Sequence, residues 1–143
     1  MKSIDAGNGF VLDCSVTMAW CFEDEACDYA ENVLDALREG QAFVPSLWTL
    51  EVANVLLVAE LKRRITKVQS AQFKKSLQIL PIHIDQYDGM HGLDTIYALA
   101  HETKLSSYDA AYLALAMHKS LPICSLDKLV IKAAKRLKID VRH

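Results

Sequence analysis

The stretch FVLDCSVTMAW, residues 10–20, opens on three apolar residues that stop at a carboxylate, Asp13. Phe10, Val11 and Leu12 read as a short buried strand, because a strand covered on both faces is a continuous apolar run rather than an alternating one. After Asp13 the segment Val16 to Phe22 has the length and composition of a short helix. A carboxylate closing such a strand stands where parallel α/β sheets bind ligands, just outside the carboxyl ends of the strands. The same residue also suits a helix N-cap, so this stretch alone leaves both uses open.

Outward from it, short apolar pieces recur at Ala42 to Val44, Pro81 to Ile84, Pro122 to Cys124 and Asp140 to Arg142. Helical periodicity fills the gaps at Ala26 to Arg38, Leu47 to Arg64, Lys67 to Leu80, Asp88 to Thr103, Ser107 to Lys119 and Asp127 to Leu137. Strands alternating with helices predict a parallel sheet with helices on both faces. No internal repeat, low-complexity tract or Gly/Ser linker divides the chain, so residues 1–143 are expected to form a single domain.

Hydrophobic residues make up 52% of the chain and charged residues 24%, the balance of an ordinary globular domain and not of a disordered tail or a disulfide scaffold. The longest apolar run, Ala110 to Met117, falls far short of the ~18 residues of a spanning helix. Asp13 interrupts the N-terminal region before it can resemble a signal peptide. The expectation is a cytoplasmic protein with no membrane partner. Of the four cysteines, Cys14 and Cys124 sit in or beside strands, and Cys21 and Cys27 show no C-x-x-C or zinc spacing. They are expected to be reduced structural thiols. Charge is uneven: residues 1–60 carry eleven carboxylates and two basic side chains, residues 61–143 seven and fourteen. Such a split hints at an acidic site and a separate basic surface, or is chance that folding scatters.

Four carboxylates look out of place. Besides Asp13, Glu51 sits among Leu50, Val52, Ala53, Val55, Leu56, Leu57 and Val58, a helix apolar nearly all round and so expected to be buried. No Lys or Arg stands at i±3 or i±4 to pair with it; Asn54 at i+3 shares its face. Asp109 opens a helix of small and apolar residues, where Ser106-x-x-Asp109 also fits a capping box. Asp127 follows Ser125, which fits an N-cap with Asp127 as a first-turn acid. If the first and fourth strands are neighbours, Asp13 and Asp127 flank one crevice. Four converging carboxylates repel unless a cation neutralises them. An all-oxygen set selects Mg²⁺ or Mn²⁺ over zinc and suits metal-assisted attack of water on a phosphodiester, with ions ~3.5–4 Å apart if two bind.

The segments FVLDCSVTMAW (10–20), LEVANVL (50–56), SSYDAAYLALA (106–116) and SLDKLVIKAAK (125–135) resemble the motifs of PIN-domain proteins, and most of all the VapC toxins of toxin–antitoxin pairs. The resemblance covers nearly the whole chain. It implies that Asp13, Glu51, Asp109 and Asp127 form an acidic metal site, with Ser15, Asn54 and Ser125 at the supporting, substrate-side positions. It implies an α/β/α sandwich around a five-stranded parallel sheet, first strand central and next to the fourth. It further implies an endoribonuclease dependent on Mg²⁺ (or Mn²⁺), leaving 5′-phosphate and 3′-hydroxyl ends, with a homodimer and a cognate antitoxin as partners. Cys14 departs from the small residue common there, and residues Met1 to Asn8 extend beyond the shortest members. The fourth acid is the least constant in the family, so Asp127 is open to acting through water or Ser125.

RNA needs a basic approach to such a centre. Lys62, Arg63 and Arg64 at the end of one long helix, and Lys128, Lys132, Lys135, Arg136 and Lys138 after the last acid, are the candidates. The second cluster also fits the solvated face of an amphipathic helix, and the run Glu23-Asp24-Glu25 reads as solvated surface. The apolar helix at Leu47 to Val58 is either core or a face for a dimer or antitoxin partner. The five histidines show no ligand spacing and read as surface or structural. Three rivals remain: a phospho-acceptor domain, which wants a second acid beside Asp13; a metal-silent PIN-like binding module; and a non-toxin RNA-processing nuclease.

Overall fold

The computed structural model describes residues 8–87 and 89–143. Most of the expected N-terminal extension, and Asp88, the expected start of the fourth long helix, lie outside them. Strands β1 (Gly9–Leu12), β2 (Gln41–Pro45), β3 (Ile82–Asp85) and β4 (Ile123–Cys124) form one parallel sheet in the order β3-β2-β1-β4. Between and after them run α1 (Cys14–Cys21), α2 (Asp28–Ala36), α3 (Leu47–Leu61), α4 (Lys67–Gln78), α5 (Leu93–Thr103), α6 (Ser107–Lys119) and α7 (Lys128–Arg136). Among the described residues no helix is long and apolar enough to cross a membrane.

Among the described residues the sheet has four strands, not five. At Asp140 to Arg142 the chain makes only one parallel bridge, Ile123 to Val141, held by Ile123 N–H to the Asp140 carbonyl (2.9 Å) and Arg142 N–H to the Ile123 carbonyl (3.0 Å). Two causes are visible. β4 is itself two residues long and offers one pairing site, and the Arg142 carbonyl accepts the Tyr29 hydroxyl (2.7 Å).

β1 is flanked on both edges, and Phe10, Val11 and Leu12 are fully buried. Helix α6 lies against β1, β2 and β4, with every side chain from Ala110 to Ala116 buried. Its alanines allow close approach to the sheet, which is why a helix apolar nearly all round is stable there. α3 ends at Leu61 rather than Arg64, since Arg63 takes a left-handed φ of 56° and the Arg64 N–H closes onto the Ala59 carbonyl (2.8 Å). A capping box of Thr66 and Gln69 opens α4.

Candidate metal centre

The β1–β4 register pairs Leu12 with Cys124, so Asp13 and Ser125 leave the sheet side by side. Asp13 occupies the N-cap position of α1, yet its side chain makes no capping hydrogen bond. Instead its Oδ2 accepts two hydroxyls, Ser15 at 2.6 Å and Ser125 at 2.8 Å. Each serine is held in turn by a backbone donor, Leu126 N–H on Ser15 Oγ and Asp127 N–H on Ser125 Oγ, both at 3.0 Å. The backbone N–H of Ser15 adds a further, weaker pull on the same carboxylate. A carboxylate only 6% exposed and oriented by two hydroxyls is engaged in more than capping a helix.

Glu51 stands in the second turn of α3, half-buried, and its Oε1 accepts the Tyr112 hydroxyl at 2.5 Å. Tyr112 is a fully buried residue of α6, one turn beyond Asp109 on the same helix face. Sequence reading missed it: an aromatic in an alanine-rich helix looks like core. The available signal was that a buried Tyr needs an acceptor for its hydroxyl.

Asp109 and Asp127 each sit at a helix start. Ser106 caps α6 by accepting the Asp109 N–H (3.1 Å), but the Asp109 carboxylate makes no return bond to Ser106 N–H, so the capping box is only half formed. Asp127, not Ser125, is the N-cap of α7; its Oδ1 accepts Leu129 N–H (2.9 Å) and Val130 N–H (3.3 Å). As with Glu51, one Asp127 oxygen is tied to the protein and the other is left.

The carboxylates sense one another. Burial raises the Asp13 pKa and the Asp127 charge raises it further, against the lowering pull of the Ser15 and Ser125 hydroxyls. For Glu51, burial raises the value, the Tyr112 hydroxyl opposes it, and the charges of Asp13 and Asp109 add to it. Asp109 is raised by burial and then by Asp13 and Asp127, with Ser106 opposing. Ion pairs among the described residues engage Asp24, Glu25, Asp35 and Asp85 and none of these four. The N-termini of α1, α6 and α7 supply only partial positive charge. Crowded, partly buried, all-oxygen ligands without a cationic side chain fit a hard divalent cation in their chemistry. As they stand, no group of three or more Asp, Glu, His or Cys side chains among the described residues closes around one ion.

Asn54 is not brought into this cluster; it is exposed and shares none of its hydrogen bonds. Arg64 is committed elsewhere, bridging Asp24 (2.8 Å) and Glu25 (2.7 Å) with its guanidinium 3.9 Å from the Phe22 ring centre. The acidic run after α1 is exposed, as expected, and two of its members, Asp24 and Glu25, also pair with Arg64 at the surface. His83, His101 and His118 pack against Phe43, Tyr97 and Tyr87. All four cysteines are free thiols; burial pushes Cys124 up to about 12.

The family described as "PIN domain" matches residues 10–136. Among solved structures, the crystal structure of PAE2754 from Pyrobaculum aerophilum aligns with a TM-score of 0.66 at 19% identity, over 87% of this chain and 78% of that one. At that identity the likeness is one of fold. No curated protein matches.

Proposed function

The chain belongs to the PIN-domain family, generally one of nucleases that use divalent metals, and from that premise we propose that it is a metal-dependent endoribonuclease and the toxin of a VapC-type pair. The observation that carries the nuclease reading is the carboxylate arrangement: Asp13 is oriented by two serine hydroxyls, and Glu51 and Asp127 each give one oxygen to neutral protein donors and keep the other. Asp13, Glu51 and Asp109, with Asp127 at one side, would hold Mg²⁺ or Mn²⁺. Such an ion supplies Lewis-acid polarisation of a phosphate and activation of water.

The chain's own groups do the positioning. Ser15 and Ser125 fix the plane of the Asp13 carboxylate through the oxygen it does not offer. Three helix N-termini around the acids favour an incoming phosphate. Lys128, Lys132, Lys135 and Arg136 lie on the exposed side of α7, opposite buried Val130, Ala133 and Ala134, and begin next to Asp127. Phosphate contacts from that face bring RNA to the site with little choice of sequence.

The toxin reading adds protein partners, a second copy and an antitoxin segment. It draws support from α3, which is not the fully buried helix its composition predicts. Leu50, Leu57 and Leu61, spaced i, i+7 and i+11, form an exposed stripe, 73%, 55% and 76% accessible.

One observation favours the rival, a metal-silent binding module: no three ligands among the described residues already enclose an ion. Incubating end-labelled RNA with the chain and Mg²⁺, with and without EDTA, separates the two. Metal-dependent cuts bearing 5′-phosphates are expected. RNA that is bound but intact in Mg²⁺ and in Mn²⁺ favours the binding module.

A further inference from the structure

We propose that Tyr112 is a positioning residue of the metal centre, its hydroxyl holding Glu51 Oε1 so that Oε2 alone is presented to a cation. The inference rests on the carboxylate reading above and assigns it a component outside the acidic motif residues. Tyr112 and Glu51 are 61 positions apart, on α6 and α3, and they meet at 2.5 Å. The Tyr112 ring is fully buried, so its hydroxyl cannot swing to solvent and points to one place. Glu51 is a long, flexible side chain on a helix with an exposed apolar stripe. Without a fixed donor it is free to extend away from Asp13 and Asp109, whose charges repel it.

The same logic recurs at the other acids, which makes the Tyr112 hydrogen bond part of a pattern. Asp13 has two hydroxyl donors on one oxygen, and Asp127 has two backbone donors on one oxygen. Each anchor is neutral, so each orients a carboxylate without discharging it. A lysine or arginine at position 112 would orient Glu51 equally well but would compete with the metal.

A bland alternative shares the geometry: Glu51 merely satisfies a buried phenol. Tyr112→Phe separates the two, since it keeps the ring and removes only the hydroxyl. Mn²⁺ binding is followed by loss of the free-ion electron paramagnetic resonance signal, for the unaltered chain, Tyr112→Phe, Glu51→Gln and the double variant, with circular dichroism melts of each in EDTA. A positioning role predicts that Tyr112→Phe weakens Mn²⁺ binding by about tenfold or more, as loss of ligand-orienting partners does. It also predicts that the hydroxyl loses its effect once Glu51 is Gln, so the double variant binds like Glu51→Gln alone. Unchanged Mn²⁺ affinity in Tyr112→Phe, or a loss that persists undiminished in the Glu51→Gln background, overturns the inference while leaving the metal site standing. Failure of the unaltered chain to bind Mn²⁺ overturns the site itself, and the inference with it.

Discussion

Asp13 illustrates how a single residue is ambiguous in sequence and how distant neighbours bear on it. After a strand and before a helix it has the credentials of an N-cap, and the backbone puts it in that position; only the hydroxyls of Ser15 and Ser125 show that its carboxylate is used otherwise. Ser125 stands 112 positions away, so no local pattern carries that information. Its raised pKa has a consequence for stability. A carboxyl whose native pKa exceeds its unfolded value destabilises the fold when ionised. That penalty is absent below the ordinary values near 3.8 for Asp and 4.5 for Glu. It grows as pH rises from there and is complete above the native pKa values. Asp13→Asn removes its share, so the metal-free variant should melt a few degrees above the unaltered chain at pH 7, on the order of 1 kcal/mol. The difference should shrink toward zero near pH 4. Equal melting temperatures in EDTA at pH 7 would show that the Asp13 charge carries no such cost.

At the scale of elements, the strands are legible as short continuous apolar runs between longer stretches of helical periodicity, and the fifth strand is lost where an element is too short to signal itself. The fifth strand reduces to one bridge since β4 offers only two residues, a limit set by pairing and invisible in the composition of residues 140–142. For α3 the composition left core and partner face open, and the structure exposes Leu50, Leu57 and Leu61, with Asn54 exposed as well. At α7, capping and ligation are separable. Asp127→Ala removes both capping bonds and should cost about 1 kcal/mol. Asp127→Asn retains an acceptor, so it should leave stability within about 0.5 kcal/mol while lowering cleavage at least tenfold. Full cleavage by Asp127→Asn would make Asp127 a cap alone. On the exposed side of the same helix, Lys128→Glu with Lys132→Glu should weaken RNA binding and flatten its dependence on salt, by about one unit of slope for each phosphate no longer neutralised. Filter binding across a salt series checks this, and an unchanged slope would leave that face merely solvated.

For the whole molecule, the uneven distribution of charge along the sequence does not map onto a site and a surface. Asp13 and Glu51 come from the acidic half and Asp109 and Asp127 from the basic half, and Arg64 crosses back to pair with Asp24 and Glu25. What unites the acids is topology: β1 beside β4, and α6 laid across both, gather residues from positions 13, 51, 109 and 127 at one end of the sheet. The exposed leucine stripe of α3 has its own consequence at this scale. Sedimentation equilibrium should report a dimer for the unaltered chain and a monomer for Leu50→Glu with Leu57→Glu; a monomer for both would remove a second copy as its occupant.

The most direct measurement compares the unaltered chain with Asp13→Asn on a 5′-labelled RNA in Mg²⁺, with EDTA as the control. The unaltered chain should cut in Mg²⁺ alone, and Asp13→Asn, folded and more stable, should lose at least a hundredfold in rate. Undiminished cutting by Asp13→Asn, or equal cutting in EDTA, would contradict a carboxylate metal site as the seat of the activity.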